Sequence, residues 1–382
     1  MKIAFVNGNF ELGGIQRVTT IIGKELSKKH EVYYYSMHSA ENFYGIENNL
    51  INGETWLDKN LLLRKFVKSR RLLEQYLSSG EYTPSRYVTA NLKKLINFSK
   101  KNNINCLILS GPDLTSFIPY IKRRAPELFL IAWQHNNANT YINDYAKSYK
   151  TAYLKGLTQA NHVICLTDSD FTVYNNYANS ISRIYNPLTI DNNKVSLLED
   201  KIICFVGRVD IQHKGIDYLI EIASKLPKDW KISVAGSVDK HTKKKVEKLL
   251  TRFDAREKII FRGPLNGLEL HKHYFKSSFY LMTSRWEGFP LVIAEAMSFG
   301  LPVISFENTG SIEALGFGKY GKLVENGNIE KIMKEVISMI NNDKIRKEYQ
   351  NKSLKRVEEF SLKKVITQWE EVLSEAHLTT LT

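Results

Sequence analysis

Apolar positions along the chain fall into two alternating patterns. Some are short unbroken runs, and others are longer stretches in which apolar residues recur every three or four positions. Lys2–Asn7 is the first compact run and predicts a strand, and Gly8–Gly14 reads as a loop. Ile15–Lys29, with Val18, Ile21, Ile22 and Leu26 near helical spacing, predicts a helix, and Glu31–Tyr35 a second strand. Strand, glycine loop, helix, strand is the opening of a parallel α/β sheet. The pattern breaks from about Ala40 to Lys101 and resumes with strands at Cys106–Leu109, Leu128–Trp133 and His162–Leu166. Asp191–Lys201 is polar and reads as a linker. A second series follows, with strands at Ile202–Val206, Lys231–Ala235, Lys258–Phe261 and Ser278–Met282, and Glu330–Leu373 is helical and charged. Beyond two similar α/β halves there is no internal repeat.

The stretch Thr283–Ser305 (TSRWEGFPLVIAEAMSFGLPVIS) predicts a loop, a short helix and a strand. Pro290 suits a first helical turn, because its φ is set and it has no N–H to leave unpaired. No breaker intervenes before Phe299. Gly300 stands where the helix ends, Pro302 forbids continuation, and Val303 and Ile304 read as buried strand. The helix N-terminus, Gly288 to Leu291, offers unpaired N–H groups to a phosphate or another anion. Glu287 then lies beside the far end of that anion. Glu295, more than a turn in, can reach a polyhydroxyl such as a ribose. A carboxylate among Ala294, Ala296 and Met297 is costly unless something binds it. Taken singly, each glutamate is as readily a loop residue or part of a solvated face. Together they frame one unit.

Other residues stand at places where α/β folds put chemistry. Arg208 and Lys214 share one strand-to-helix loop, with Gly207 and Gly215 leaving room for close approach. Two cations beside a diphosphate would neutralise charge growing on it as it leaves. Gln134-His135-Asn136-Asn137 follows a strand at its carboxyl end, the side where parallel sheets hold ligands. A lone histidine there is as often a capping or core residue. Thr167-Asp168-Ser169-Asp170 reads as a helix cap. It has the letters of a metal-binding Asp-x-Asp but follows a strand of the first half. Gly8, Gly13 and Gly14 do not make G-x-G-x-x-G, which weakens a nicotinamide reading.

Composition and charge add a partner. The 382 residues are 43% hydrophobic and 25% charged, a globular balance with enough chain for two cores. The formal net charge of +14 favours something anionic. Half of it lies between Glu54 and Lys101, where 11 Lys/Arg face 4 Asp/Glu. Within that stretch Asn60–Leu77 predicts a basic amphipathic helix. Leu62, Phe66, Leu73, Tyr76 and Leu77 can share a face, and Arg64, Lys65, Lys68, Arg70 and Arg71 supply charge. Such a helix suits an anionic membrane surface or polyanionic head group, or packs on the sheet with its basic side in water. Cys106, Cys165 and Cys204 lie far apart in apolar runs and read as buried thiols of a reducing compartment. No run is long enough to span a bilayer, and the amino-terminal run is short for a secretory signal, so a cytoplasmic protein is expected.

Glu287-Gly-Phe-Pro-Leu-Val-Ile-Ala-Glu295 resembles the E-x7-E motif of the retaining glycosyltransferases of family 4, and the resemblance covers nearly the whole chain. It implies the α/β GT-B fold, with two Rossmann-like domains facing across a cleft that closes in use. The expected boundaries are 1–188 for an acceptor-binding domain, with the basic insertion at about 54–101, and 189–200 for a linker. A nucleotide-sugar-binding domain at 201–361 and a helix returning to the first domain at 362–382 complete the plan. Residue by residue, it implies that Glu287 contacts the donor sugar, Glu295 the ribose, and Arg208 and Lys214 the diphosphate. Gly13-Gly14 closes over the phosphates, and His135 lines the acceptor side. Gly207, Gly236, Arg262, Leu265, Gly288, Phe289, Pro290 and Leu291 complete the donor site, with Arg262 and Leu265 near the nucleobase. Gly310-Ser311 and Glu313 follow as in the family. The implied reaction moves a hexosyl or N-acetylhexosaminyl unit, with retention, from a nucleotide sugar to a hydroxyl. No cofactor and no metal are expected. A UDP-sugar donor is expected, and a glycan, teichoic-acid, lipid-linked or protein-linked acceptor, with the inner membrane surface as a possible partner and no nucleic acid. A GT-B sugar-nucleotide epimerase, a phosphorylase and a basic nucleic-acid-binding protein are the rival readings. The E-x7-E spacing with Arg208 and Lys214 weighs against the first. The short chain weighs against the second, and the lack of a nucleic-acid module against the third.

Overall fold

The computed structural model describes residues 1–38, 41–46, 49–192 and 194–379. The chain divides into two units, Met1–Pro187 with Leu362–Thr382, and Leu188–Ser361. In the first, seven strands are described: β1 (Lys2–Asn7), β2 (Glu31–Ser36), β3 (Leu50–Asn52), β4 (Cys106–Ser110), β5 (Phe129–Trp133), β6 (His162–Cys165) and β7 (Ile181–Arg183). They form one parallel sheet in the order β3-β2-β1-β4-β5-β6-β7. The second unit has β8 (Ile202–Val206), β9 (Lys231–Ala235), β10 (Ile259–Gly263), β11 (Phe279–Met282), β12 (Val303–Phe306) and β13 (Lys322–Val324). These are also all parallel, in the order β10-β9-β8-β11-β12-β13.

Parallel strands covered on both faces read as unbroken apolar runs, which is why the central ones are plain in the sequence. Ile3, Ala4, Phe5 and Val6 of β1 and all of β5 are buried. Leu107, Leu109 and Leu130 pack with Leu92, Leu95, Ile118 and Tyr153 in the first core. Ile203, Phe205, Ile232 and Leu281 pack with Leu219, Ile222 and Val246 in the second. Each sheet reverses its strand order once, between β1 and β4 and between β8 and β11. Loops leaving the carboxyl ends of two such strands diverge and open a crevice, the place where doubly wound folds bind ligands.

Most sequence-predicted elements are present within a residue or two at each end. The first helix is shorter than expected, Gly14–Leu26, and Ser27 to His30 turn back toward β2. β3 falls in the stretch where the α/β rhythm was expected to be broken, and β13 was not predicted at all. Each is a three-residue edge strand, too short to show a period. The charged stretch from Glu330 is three helices, Ile329–Asn341, Asp343–Val357 and Leu362–Thr379, because Asn342 caps the second by accepting from Ile345 N. All three cysteines are buried and free, and burial pushes each thiol up in pKa. Among the described residues no helix is long and apolar enough to cross a membrane.

Candidate active site

The crevice between β8 and β11 is built by two loops that are stitched together. After β8 comes Gly207-Arg208, then a short helix, Ile211–Lys214, capped by Asp210 accepting from His213 N at 2.8 Å. After β11 comes Thr283 to Pro290. Thr283 Oγ1 donates to Lys214 O (2.9 Å), and Arg285 N donates to His213 O (2.9 Å). The Arg285 guanidinium reaches back to both Asp217 oxygens (3.0 and 2.6 Å) and to Ile211 O (2.6 Å), and lies over the Tyr218 ring. Gly215 allows the approach twice over. Its φ is +63°, and a Cβ there would stand 2.1 Å from Thr283 O.

What this stitching brings together is Lys214 and Glu287, 73 residues apart in sequence, with Nζ to Oε1 at 2.5 Å and both largely buried. Burial pushes the Glu287 carboxyl up. The Lys214 ammonium and hydrogen bonds from Lys214 and Ser284 outweigh it and hold the group below the ordinary glutamate range. His213 stacks on Trp286 (4.9 Å between rings), and its Nε2 donates to Trp286 O at 3.0 Å. Burial, then the Lys214 charge, lower its pKa, so the ring is neutral at pH 7. The Lys214 stem passes Gly207 so closely that a Cβ there would lie 3.7 Å from Cε. Gly236, at the end of β9, is pressed on the same turn: a Cβ on it would sit 1.8 Å from Gly207 O and 3.3 Å from Arg208 N. Arg208 itself is exposed, with no side-chain hydrogen bond or ion pair among the described residues. Gly207, Arg208, Lys214, Gly236 and Glu287 thus form one cluster. Gly236 N donates to Gly263 O (2.8 Å), which ties in the end of β10. The Arg262 side chain is exposed there and Leu265 is half-buried.

The helix after Glu287 runs Leu291–Ser298, and Pro290 is its N-cap in extended conformation. This corrects the expectation of Pro290 inside the first turn. At its other end Gly300 has φ +69°. Gly300 N donates to Met297 O and Leu301 N to Ala296 O, the paired bonds of a left-handed C-terminal cap. Gly288 and Pro290 are buried and Leu291 is half-buried. Phe289 is 6% exposed, with its ring edge-on to Phe360 at 5.2 Å, so its side chain serves packing. Gly310 packs against the loop, where a Cβ would meet Gly288 O and Glu287 O below 3 Å. Glu295 is 2% exposed. Its Oε1 accepts from Thr189 Oγ1 (2.6 Å) and its Oε2 from the Tyr274 hydroxyl (2.8 Å). The partner a buried carboxylate needs is therefore present within the protein. Thr189 and Tyr274 carry no sequence signal, being 106 and 21 residues away. Arg285 and Trp286 adjoin Glu287 and were legible as neighbours, but not as clamps.

In the first unit, His135 follows β5. Gln134 is held by the Tyr153 hydroxyl and donates to Thr115 Oγ1, both at 2.9 Å. His135 packs on Trp133 (4.2 Å between rings), and its Nε2 has no hydrogen-bond partner among the described residues. Burial lowers its pKa to about 3, so the imidazole is neutral. Gly13 caps the Gly14–Leu26 helix, bonded through its N–H and carbonyl to the Tyr44 hydroxyl (3.1 and 2.7 Å), and leaves Gly14 exposed. Asp168 pairs with Arg183 (2.6 Å), and Asp170 is buried, accepting from Ala138 N (2.8 Å) and Thr167 Oγ1 (2.7 Å). Both aspartates of that motif do structural work. The predicted basic residues Arg64, Lys65, Lys68, Arg70 and Arg71 lie on a helix, Leu61–Leu77, in this same unit.

Two parallel sheets that each reverse strand order once, one with cations and a carboxylate gathered at its switch point, define a Rossmann-like α/β unit present twice in one chain. Residues 189–356 match the family model for glycosyl transferases group 1. An uncharacterized glycosyltransferase of Haemophilus influenzae is 31% identical over 97% of this chain and 99% of its own length. A Campylobacter jejuni enzyme named GalNAc-alpha-(1->4)-GalNAc-alpha-(1->3)-diNAcBac-PP-undecaprenol alpha-1,4-N-acetyl-D-galactosaminyltransferase is 22% identical over 98% and 99%. Among solved structures, Anabaena Alr3699/HepE in complex with UDP superposes with a TM-score of 0.77 at 16% identity, over 98% of this chain and all of that one. The chain belongs to the glycosyl transferases group 1 family and is a glycosyltransferase of GT-B fold.

Proposed function

We propose that the chain moves a hexosyl or N-acetylhexosaminyl unit from a UDP-sugar, with retained anomeric configuration, to a hydroxyl of a glycan, teichoic-acid, lipid-linked or protein-linked acceptor at the inner membrane surface. The observation that carries the donor side is the Lys214–Glu287 pair at the β8/β11 switch point, with exposed Arg208 next to Gly207. In support, HepE is described with UDP, and the name of the Campylobacter relative gives it an undecaprenol-diphosphate-linked glycan acceptor. The epimerase, phosphorylase and nucleic-acid readings gain nothing from these likenesses.

In this reading the donor diphosphate lies against the Gly207–Arg208 turn, which Gly236 allows to pack closely on the end of β9. Arg208 and Lys214 stabilise the charge that develops on it, a role open to fixed cations without a metal. Lys214 then shares its ammonium between Glu287 and the phosphate. Glu287, ionised at neutral pH, orients the sugar and offsets cation-like charge at its anomeric carbon. The bond from that carbon to the phosphate oxygen breaks, and a bond to the acceptor oxygen forms on the same face. The acceptor proton passes to the departing phosphate. Neutral His135 lines the acceptor side, and Gly14 the phosphates. Glu295, held by Thr189 and Tyr274, faces the ribose, with Arg262 and Leu265 by the base.

Donor hydrolysis tests the reading. UDP-sugars offered singly without acceptor should yield free UDP, unaffected by a chelator. Glu287→Ala should lower that rate by about 10²–10³-fold. Failure of every nucleotide sugar to be consumed, or a Glu287→Ala chain as active as the parent, overturns it.

A further inference from the structure

We infer that the Leu61–Leu77 helix is a lipid-docking element that lies in the plane of an anionic bilayer with its apolar face inserted. Helices of globular proteins normally turn their apolar stripe to the core. This one does the reverse. No residue of it is buried, and Leu62, Phe66, Leu73, Tyr76 and Leu77 are 58–86% exposed. At roughly 100° per residue these five fall within an arc of about 100°, and exposed Leu61 and Leu72 extend it. Only Leu63 and Val67 among its apolar residues are turned inward, and they are half-buried.

What attaches the helix is polar. Glu74 accepts from Thr83 N (3.2 Å), Arg86 Nη1 (2.8 Å) and the Tyr87 hydroxyl (2.5 Å), and Arg71 lies over the Tyr82 ring (5.2 Å). This clamp sets which side faces out. Asn60 stops the amino-terminal end, accepting from Leu62 N and Leu63 N. Seventeen residues with five cations cannot span a bilayer, but they suit its interface.

Charge selects the occupant. Arg64, Lys65, Lys68 and Arg70 are exposed and have no carboxylate partner among the described residues. The one acid of the helix, Glu74, is spent on the clamp. A second copy of the chain seated on this face would bring these cations against their own kind. An anionic bilayer offers both the apolar volume and the opposite charge. A groove of about 510 Å³ beside the helix repeats that pairing, with Phe66, Leu73, Leu77 and Ala90 in its lining together with Arg70 and Arg86. The inference rests on the proposed membrane-side acceptor only for its purpose. Its binding readout needs neither donor nor acceptor.

The full chain is sedimented with vesicles of phosphatidylglycerol and phosphatidylcholine, and with phosphatidylcholine alone, over a range of salt. Binding to the anionic vesicles that weakens with salt, and is far weaker on the neutral ones, is expected. Replacing Phe66, Leu73 and Leu77 together by Asp should abolish it while leaving circular dichroism, melting temperature and UDP-sugar hydrolysis unchanged. Replacing Arg64, Lys65 and Lys68 by Gln should weaken it on the order of 10²-fold. A parent chain that ignores anionic vesicles, or a triple-Asp chain that binds as the parent does, overturns the inference. So does sedimentation velocity showing that the face holds two copies together and no vesicle. A chain that hydrolyses a nucleotide sugar without binding vesicles sinks only this inference, and the converse sinks only the donor reading.

Discussion

At the scale of single residues, the site turns on an ion pair in which each partner makes the other's burial tolerable. Removing one member of a largely buried pair leaves an uncompensated charge and is expected to cost about 3 kcal/mol. Lys214→Met and Glu287→Gln should therefore each lower the melting temperature, and the double variant should recover most of the loss. A double-mutant cycle measures this, and strictly additive losses would contradict the pairing. The pH sign follows from the direction of the shift. Glu287 is more acidic in the folded chain than unfolded, so its contribution is complete above the unfolded value and fades as pH falls through the lower, folded one. Glu295 differs in kind. It accepts from the Thr189 and Tyr274 hydroxyls, so its replacement combines a structural loss with any loss of ribose binding.

At the scale of elements, the geometry depends on strand ends that touch. The β8 and β9 loops approach until no side chain fits at 236, although the backbone there is not left-handed. Gly236→Ala must push the Gly207–Arg208 turn aside, and overpacking of that kind costs about 1–3 kcal/mol. UDP binding should weaken together with stability. Gly263→Ala is the control. Its φ of +73° strains any L-residue, yet a Cβ there meets nothing within 4 Å, so stability should drop by about 1–2 kcal/mol while UDP affinity holds. Calorimetric titration of both variants separates the two effects, and equal UDP affinity would refute the close-approach argument. The Leu291–Ser298 helix shows how far local reading goes. Gly300 and Pro302 announced its end, whereas its start slipped by one residue because Pro290 takes the extended cap conformation.

At the scale of the whole molecule, both units hold neutral histidines, His162 and His273 buried and His135 and His213 half-buried. Burial lowers His135 to about 3 and His273 to about 4, and lowers His162 and His213 as well. A depressed folded value means the unfolded chain takes the proton first. Stability is then full above the unfolded value near 6.5 and declines as pH falls from there toward 4. The melting temperature should begin to drop between pH 6.5 and 5, before the carboxylates titrate. His273, which meets Phe205 O at 3.2 Å and Ser233 Oγ at 3.3 Å, can account for about 3 kcal/mol of that decline, at 1.36 kcal/mol per unit. His273→Gln should flatten the profile in that window, and an unchanged slope would exclude its part. The two-sheet plan was legible because central parallel strands must be apolar throughout, as Ile203 and Phe205 are. β3 and β13 were not, since three-residue edges carry no period.

What the amino-acid order alone determined is local: the strands buried on both faces, the glycines that end or bend them, the Glu287–Glu295 spacing and the basic helix. Each depends on residues near one another in sequence. Only the tertiary structure decided that Lys214 meets Glu287, that Thr189 and Tyr274 claim Glu295, and that the Leu61–Leu77 helix shows its apolar face outward. These depend on which strand ends and helices the packed sheets bring within a few ångströms. Such meetings are set by strand order and close packing, which no run of neighbouring residues records.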